Sequence, residues 1–138
     1  MQPDQADLCN NLAWLLVAGP KELQNSKKAV TYAERAVRLS PMNWHCHNTL
    51  GLALYRADRY QDAITPLKAS LEGNNGRTDG FDLFFLAMCY AKLGDQAKAK
   101  DCFDRGVKWV DGQKNLAGQW AEELKAFRAE AEKVLAKK

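Results

Sequence analysis

Leu50–Ser70, LGLALYRADRYQDAITPLKAS, decides the fold of this chain. Apolar residues recur at helical spacing on both sides of Asp58-Arg59, so the stretch reads as two short helices joined by a tight turn. A small residue marks each arm: Gly51, after Leu50, in the first and Ala63 in the second. Upstream the same grammar appears as Leu12-Ala13 with Ala29, and downstream as Leu86-Ala87 with Ala99.

The spacing makes these matches a repeat. Ala13, Gly51 and Ala87 are separated by 38 and 36 residues, and Ala29, Ala63 and Ala99 by 34 and 36. Ala36, Ser70 and Gly106 repeat a third small position, again 34 and 36 apart. The underlying period is 34, with four extra residues in the first turn (Gly19–Ser26) and two in the Gly73–Gly80 loop. Small residues suit these positions because two helices approach closely only where a side chain is missing.

Around this repeat the chain reads as helices alone, at about Asp4–Val17, Lys27–Leu39, Asn43–Ala57, Gln61–Glu72, Asp79–Leu93, Gln96–Val110 and Leu116–Ala136. No stretch alternates with period two. Leu8, Leu12, Leu15 and Leu16 mark the apolar face of the first helix, which Gly19-Pro20 stops. Ser26 is the expected N-cap of the second. Pro66 is tolerable if the fourth helix caps at Gln61 or Asp62, which puts it at the end of the first turn. Gly73-Asn74-Asn75-Gly76 is a loop by composition. Trp120, Leu124, Phe127, Ala131 and Val134 form an apolar stripe on the last helix, opposite a polar face of Glu122, Glu123, Lys125, Arg128, Glu130 and Lys133.

A helix–turn–helix unit of period 34 resembles the tetratricopeptide repeat. The second unit carries Leu50-Gly51, Tyr55, Ala63, Leu67 and Ser70. The third carries Leu86-Ala87, Tyr90, Gly94-Asp95, Ala99, Phe103 and Gly106, and the first Leu12-Ala13, Ala29, Ala36 and a closing Pro41. The family's opening Trp is replaced by Cys9, His47 and Leu83. The resemblance implies an all-α, right-handed α-solenoid. It has three repeats (about 5–41, 43–75 and 79–111) and a capping helix at 116–136, seven helices in one domain. A solenoid end needs such a cap to stay soluble. The wording NNLAWLL followed by KKAVTYAERAVRLSP resembles arrays in large bacterial multi-domain proteins, including signalling kinases, although no Gly-rich loop or H-R-D motif is present. The helical pattern begins almost directly after Met1, as expected of a domain excised from a longer protein.

The resemblance also implies a concave groove lined by the first helix of each unit. Carried onto this chain, its face comprises Asn10, Trp14 and Val17; Asn48, Leu52, Tyr55 and Arg56; and Phe81, Phe84, Met88 and Lys92. An apolar, aromatic strip with a few amides and cations suits a partner's helix or extended peptide. On this reading, Tyr55→Ala and Phe84→Ala abolish partner capture and leave helicity intact. Members that grip a terminal carboxylate use Lys, Arg and Asn where this chain has Asn10, Trp14, Thr49, Phe81 and Phe85, so that mode is not expected. The alternative is a structural or self-associating domain.

Composition bounds the rest. A chain of 138 residues, 46% hydrophobic and 27% charged, is long enough for one globular core. Twenty basic against seventeen acidic residues leave +3, with the signs mixed, which gives no basis for nucleic acid or an anionic membrane. The longest apolar run, Leu12–Ala18, is far below the ~20 residues of a bilayer span, and it lacks the basic flank and cleavage site of a signal peptide. A cytoplasmic location is therefore expected. Lys137 and Lys138 read as a solvated helix end. Cys9, Cys46, Cys89 and Cys102 contain no C-x-x-C pair, and a reduced chain with Cys89 in the core is expected. His45 and His47 point about 200° apart on a helix, too far to share a metal. No nucleophile has a base and an orienting group, so neither an enzyme nor a cofactor is expected.

Overall fold

The computed structural model describes residues 4–116 and 118–137. These form seven α-helices: α1 (Asp4–Ala18), α2 (Ser26–Leu39), α3 (Trp44–Arg56), α4 (Tyr60–Gly73), α5 (Asp79–Lys92), α6 (Gln96–Asp111) and α7 (Gly118–Ala136). A 3-10 turn, Lys21–Leu23, joins α1 to α2. The helices pair as α1–α2, α3–α4 and α5–α6, and each hairpin packs on the next to give a helical-repeat solenoid. None of the described helices is long and apolar enough to cross a membrane. The solvated end expected at Lys138 lies outside the described residues.

The repeat is visible in the turns. The N–H that opens each second helix bonds back to the last turn of the first: Asn25 to Leu16 O, Arg59 to Leu54 O and Asp95 to Tyr90 O, each at 2.9 Å. In the second and third units the turn residue is left-handed, Asp58 at φ 63° and Gly94 at φ 87°. Such a residue closes a helix C-terminus while its successor reaches back to the orphan carbonyls. The first unit keeps the same bond although four more residues intervene, because the 3-10 turn absorbs them.

The small positions all lie inside. Ala13, Ala29, Ala36, Ala63, Ser70, Ala87 and Ala99 are fully buried, and Gly51 and Gly106 are buried with them. A Cβ on Gly51 would stand 2.5 Å from the buried Leu67 side chain, and one on Gly106 would stand 2.8 Å from the Phe84 ring. The two helices of the second and third hairpins are thus held at a separation that only these residues allow.

Three local readings are corrected. Asn25, not Ser26, caps α2, its side chain accepting from Lys28 N at 3.1 Å. Helix α4 starts at Tyr60, directly after the turn at Asp58, so Pro66 stands in its second turn. There Pro66 supplies no N–H to the carbonyl of Asp62, an exposed residue. In α1 the buried stripe is Ala6, Cys9, Ala13 and Val17, while Leu8 and Leu15 remain 59% and 42% exposed. Small side chains win that face because α2 packs onto it with Ala29, Ala33 and Ala36. All four cysteines are buried free thiols, Cys89 fully so.

Candidate functional site

Helix α7 decides the shape of the concave face. It packs mainly on α5 and only lightly on α6. Its stripe of Leu124, Phe127 and Ala131 turns inward, with Trp120 40% exposed at the near end. The Phe81 ring meets Trp120 and Phe127 edge-on, with centroids 5.9 and 6.1 Å apart, and Phe127 meets Phe85 at 4.8 Å. One turn further, Glu130 takes both arms of the Arg56 guanidinium, Nη2 donating to Oε1 at 2.9 Å and Nη1 to Oε2. That guanidinium also lies 5.5 Å from the Phe85 ring centroid and 5.7 Å from that of Tyr55. The second half of α7 therefore lies along α5 and reaches the end of α3 through the Arg56–Glu130 pair. Beside it, burial and the Glu130 charge keep the Tyr55 phenol protonated.

This corrects the view of α7 as a cap whose acids all face solvent. Its inward stripe, read at three-to-four spacing, brings Glu123 and Glu130 onto the flanks of the contact. The Arg56–Glu130 pair is bidentate and about one-third exposed on each side. A double-mutant cycle (Arg56→Ala, Glu130→Ala) is expected to give a coupling of about 1 kcal/mol that shrinks in high salt, read by urea denaturation. A coupling of zero would mean that α7 is not held by this pair.

The expected groove residues divide into three groups. Val17, Leu52, Tyr55, Phe84 and Met88 are buried. Phe84 in particular faces α6, with its ring 5.6 Å from that of Phe103 and directly against Gly106. Phe85, one residue and about 100° on, is the ring turned toward α3 and α7. Arg56 is committed to Glu130, and Lys92 is exposed with its ammonium 5.9 Å from the Tyr60 ring. Asn10, Trp14, Asn48 and Phe81 come together. They line a cavity of about 250 Å³ at the other end of the concave face, where α7 leaves α3 and α1 uncovered.

Residues outside the expected groove set complete that cavity: Trp44 and His45 from the start of α3, and Trp120 and Glu123 from the start of α7. The Trp44 and His45 rings stack at 3.7 Å, and burial holds the His45 pKa below its ordinary value against the opposing pull of Asp7. Glu123 is half-buried, which raises its carboxyl. The Asn10 Oδ1 is buried without a hydrogen-bond partner.

Asn48 connects the cavity to a buried network. Its Nδ2 donates to Asp82 Oδ1 at 2.7 Å, while Ser70 Oγ and Asn74 Nδ2 donate to Asp82 Oδ2 at 2.8 and 3.1 Å. Asn74 Nδ2 also reaches Ser70 O, and its Oδ1 accepts from Thr78 N. The Gly73–Gly76 loop is thereby tied to α3, α4 and α5 through one carboxyl. Burial pushes the Asp82 pKa up to about 7, against the three hydrogen bonds that lower it. Among the described residues no three His, Cys, Asp or Glu side chains converge as a metal site, and His47 Nε2 instead lies 2.7 Å from Pro41 O.

Comparison with known proteins agrees with this architecture. The tetratricopeptide-repeat family model matches residues 83–109. The chain is 30% identical over 95 residues to the phagocyte signaling-impaired protein of Drosophila pseudoobscura pseudoobscura, covering 69% of this chain and 10% of that protein. It is 26% identical over 113 residues to a BBSome complex member BBS4 homolog of Drosophila melanogaster, covering 81% and 22%. The chain thus spans between a tenth and a quarter of the length of these curated relatives. It carries a tetratricopeptide repeat at residues 83–109, within a helical-repeat solenoid whose earlier hairpins share that repeat's turn and its small-residue contacts.

Proposed function

We propose that this chain is a protein-interaction module that anchors a peptide segment of a partner on its concave face. The observation that carries this reading is the uncovered cavity of about 250 Å³, walled by Trp14, Trp44, Phe81 and Trp120 and edged by Asn10 and Asn48. Aromatic walls with a few fixed polar groups are what a side-chain anchor needs. The α7 contact shows what the neighbouring surface accepts: an amphipathic helix presenting an aromatic ring to Phe81 and Phe85 and an acid to Arg56. The repeat family supports the reading, since its members are interaction repeats rather than catalysts, and one relative is named as a member of a complex. The partner's segment reaches the α1 and α3 side of the face, because α7 already packs on α5 and its Glu130 holds Arg56 at the end of α3.

Selection of random peptides displayed on phage against the whole chain tests this. Selected peptides are expected to shift the backbone amide resonances of Asn10, Trp14, Asn48 and Phe81. Failure to select any peptide, or binding that moves only the α2, α4 and α6 amides, would overturn it.

A further inference from the structure

The cavity holds an acceptor and an acid without partners and no cation. Asn10 Oδ1 is buried and accepts nothing. Glu123 is half-buried at the rim and forms no ion pair among the described residues. No Lys or Arg lines the cavity, and Arg56 is already taken by Glu130. A buried acceptor without a donor costs free energy, and so does a partly desolvated carboxylate without a cation. The walls add three Trp and one Phe, whose ring faces attract a cation electrostatically. Acceptors, a carboxylate and aromatic walls together call for a ligand that is positively charged, rich in N–H donors and flat.

We propose that this cavity is an arginine-binding site that takes one arginine side chain of the partner peptide. The proposal rests on the peptide-binding reading above and names the group it recognises. A guanidinium offers five N–H donors in one plane, is weakly hydrated and stacks on aromatic rings, whereas an ammonium is a compact, strongly hydrated point charge. About 250 Å³ leaves room for the seven non-hydrogen atoms of an arginine side chain. The stem lies between Trp14 and Trp44, and the head meets the Glu123 carboxylate at the rim.

The test uses N-acetyl-arginine N-methylamide as the probe, titrated into the intact chain with the four indole N–H resonances as the readout. Trp109 is an internal control, since its Nε1 donates to Gly76 O at 2.8 Å and it does not line the cavity. The arginine probe is expected to shift the Trp14, Trp44 and Trp120 resonances saturably at millimolar concentration, as befits a single side chain, while Trp109 stays in place. The citrulline analogue, neutral and of the same shape, is expected to bind at least about tenfold more weakly, and Glu123→Gln to weaken the arginine probe by a similar factor. Three outcomes would overturn the site: equal responses to arginine and citrulline, a lysine probe within threefold of arginine, or indoles that do not move. The probe does not depend on any selected peptide, so it can fail while the module reading stands. Selected peptides that occupy the concave face without an arginine would have that same result.

Discussion

Asp82→Ala is expected to cost this fold about 3–5 kcal/mol, more than any surface change. The carboxyl is fully buried and receives donors from Asn48, Ser70 and Asn74, so its removal strands two buried polar groups, Ser70 and Asn74, and the part-buried Asn48. Urea denaturation followed by far-UV circular dichroism at pH 5.5 reads the loss, and a change below about 1 kcal/mol would show that the network does not hold the α4–α5 loop. The pH dependence carries its own sign. In the unfolded chain the carboxyl gives up its proton near 3.8, whereas in the fold it keeps it until about 7. Between these values the folded state binds more protons, so the contribution of Asp82 to stability is full at low pH and falls as pH rises. Relative to Asp82→Asn, which does not titrate, the unmodified chain is expected to lose up to about 4 kcal/mol between pH 4 and pH 7.5. Above pH 8 no further loss is expected. A gap that stays constant or moves the other way would place the proton elsewhere.

How much of this was legible follows from what each feature depends on. The hairpins were written in the sequence because their close contacts demand small residues, and Ala13, Gly51, Ala87 and their partners recur in phase. The turn insertion was legible too, and the bond from Asn25 to Leu16 survives it. The site was legible only in part. Asn10, Trp14, Asn48 and Phe81 do meet, yet the repeat register puts Phe84 where Phe85 stands. One residue is a 100° turn, and on α5, buried throughout from Asp82 to Cys89, an almost wholly apolar run offers no polar face to fix the rotation. The face that α7 packs inward was legible as the stripe of Leu124, Phe127, Ala131 and Val134, but its side-chain contacts with α3 and α5 were not. These cross long sequence separations, Phe127 on Phe85 and Glu130 on Arg56, for which repeat spacing has no signal. Asp82 did leave a trace, as the one charged residue in the run Phe81–Tyr90; a lone acid there is buried or breaks the helix, and burial demands partners.

The same rotation makes Phe84 and Trp14 opposite kinds of residue, and a pair of substitutions separates them. Phe84 is 0% exposed, wedged between Phe103 and the bare backbone of Gly106. Truncation to Ala removes the ring from a contact that cannot collapse, since Gly106 has no side chain to advance into the space. The expected loss is about 3–5 kcal/mol, or a melting temperature lower by roughly 10–20 °C for a chain of this size. Below that temperature, Phe84→Ala is expected to capture a selected peptide as the unmodified chain does, because the ring never touches the cavity. Trp14 lines the cavity and is only partly buried. Trp14→Ala is therefore expected to lower the melting temperature by less than Phe84→Ala and to lose most of the peptide affinity. Thermal denaturation and binding, both measured on each variant, give four values. If Phe84→Ala melts within about 3 °C of the unmodified chain and loses the peptide, the ring faces the partner and α5 is rotated by one residue from the position described above. The expected pattern instead makes stability and capture fail separately, stability at the α5–α6 contact and capture at the aromatic cavity.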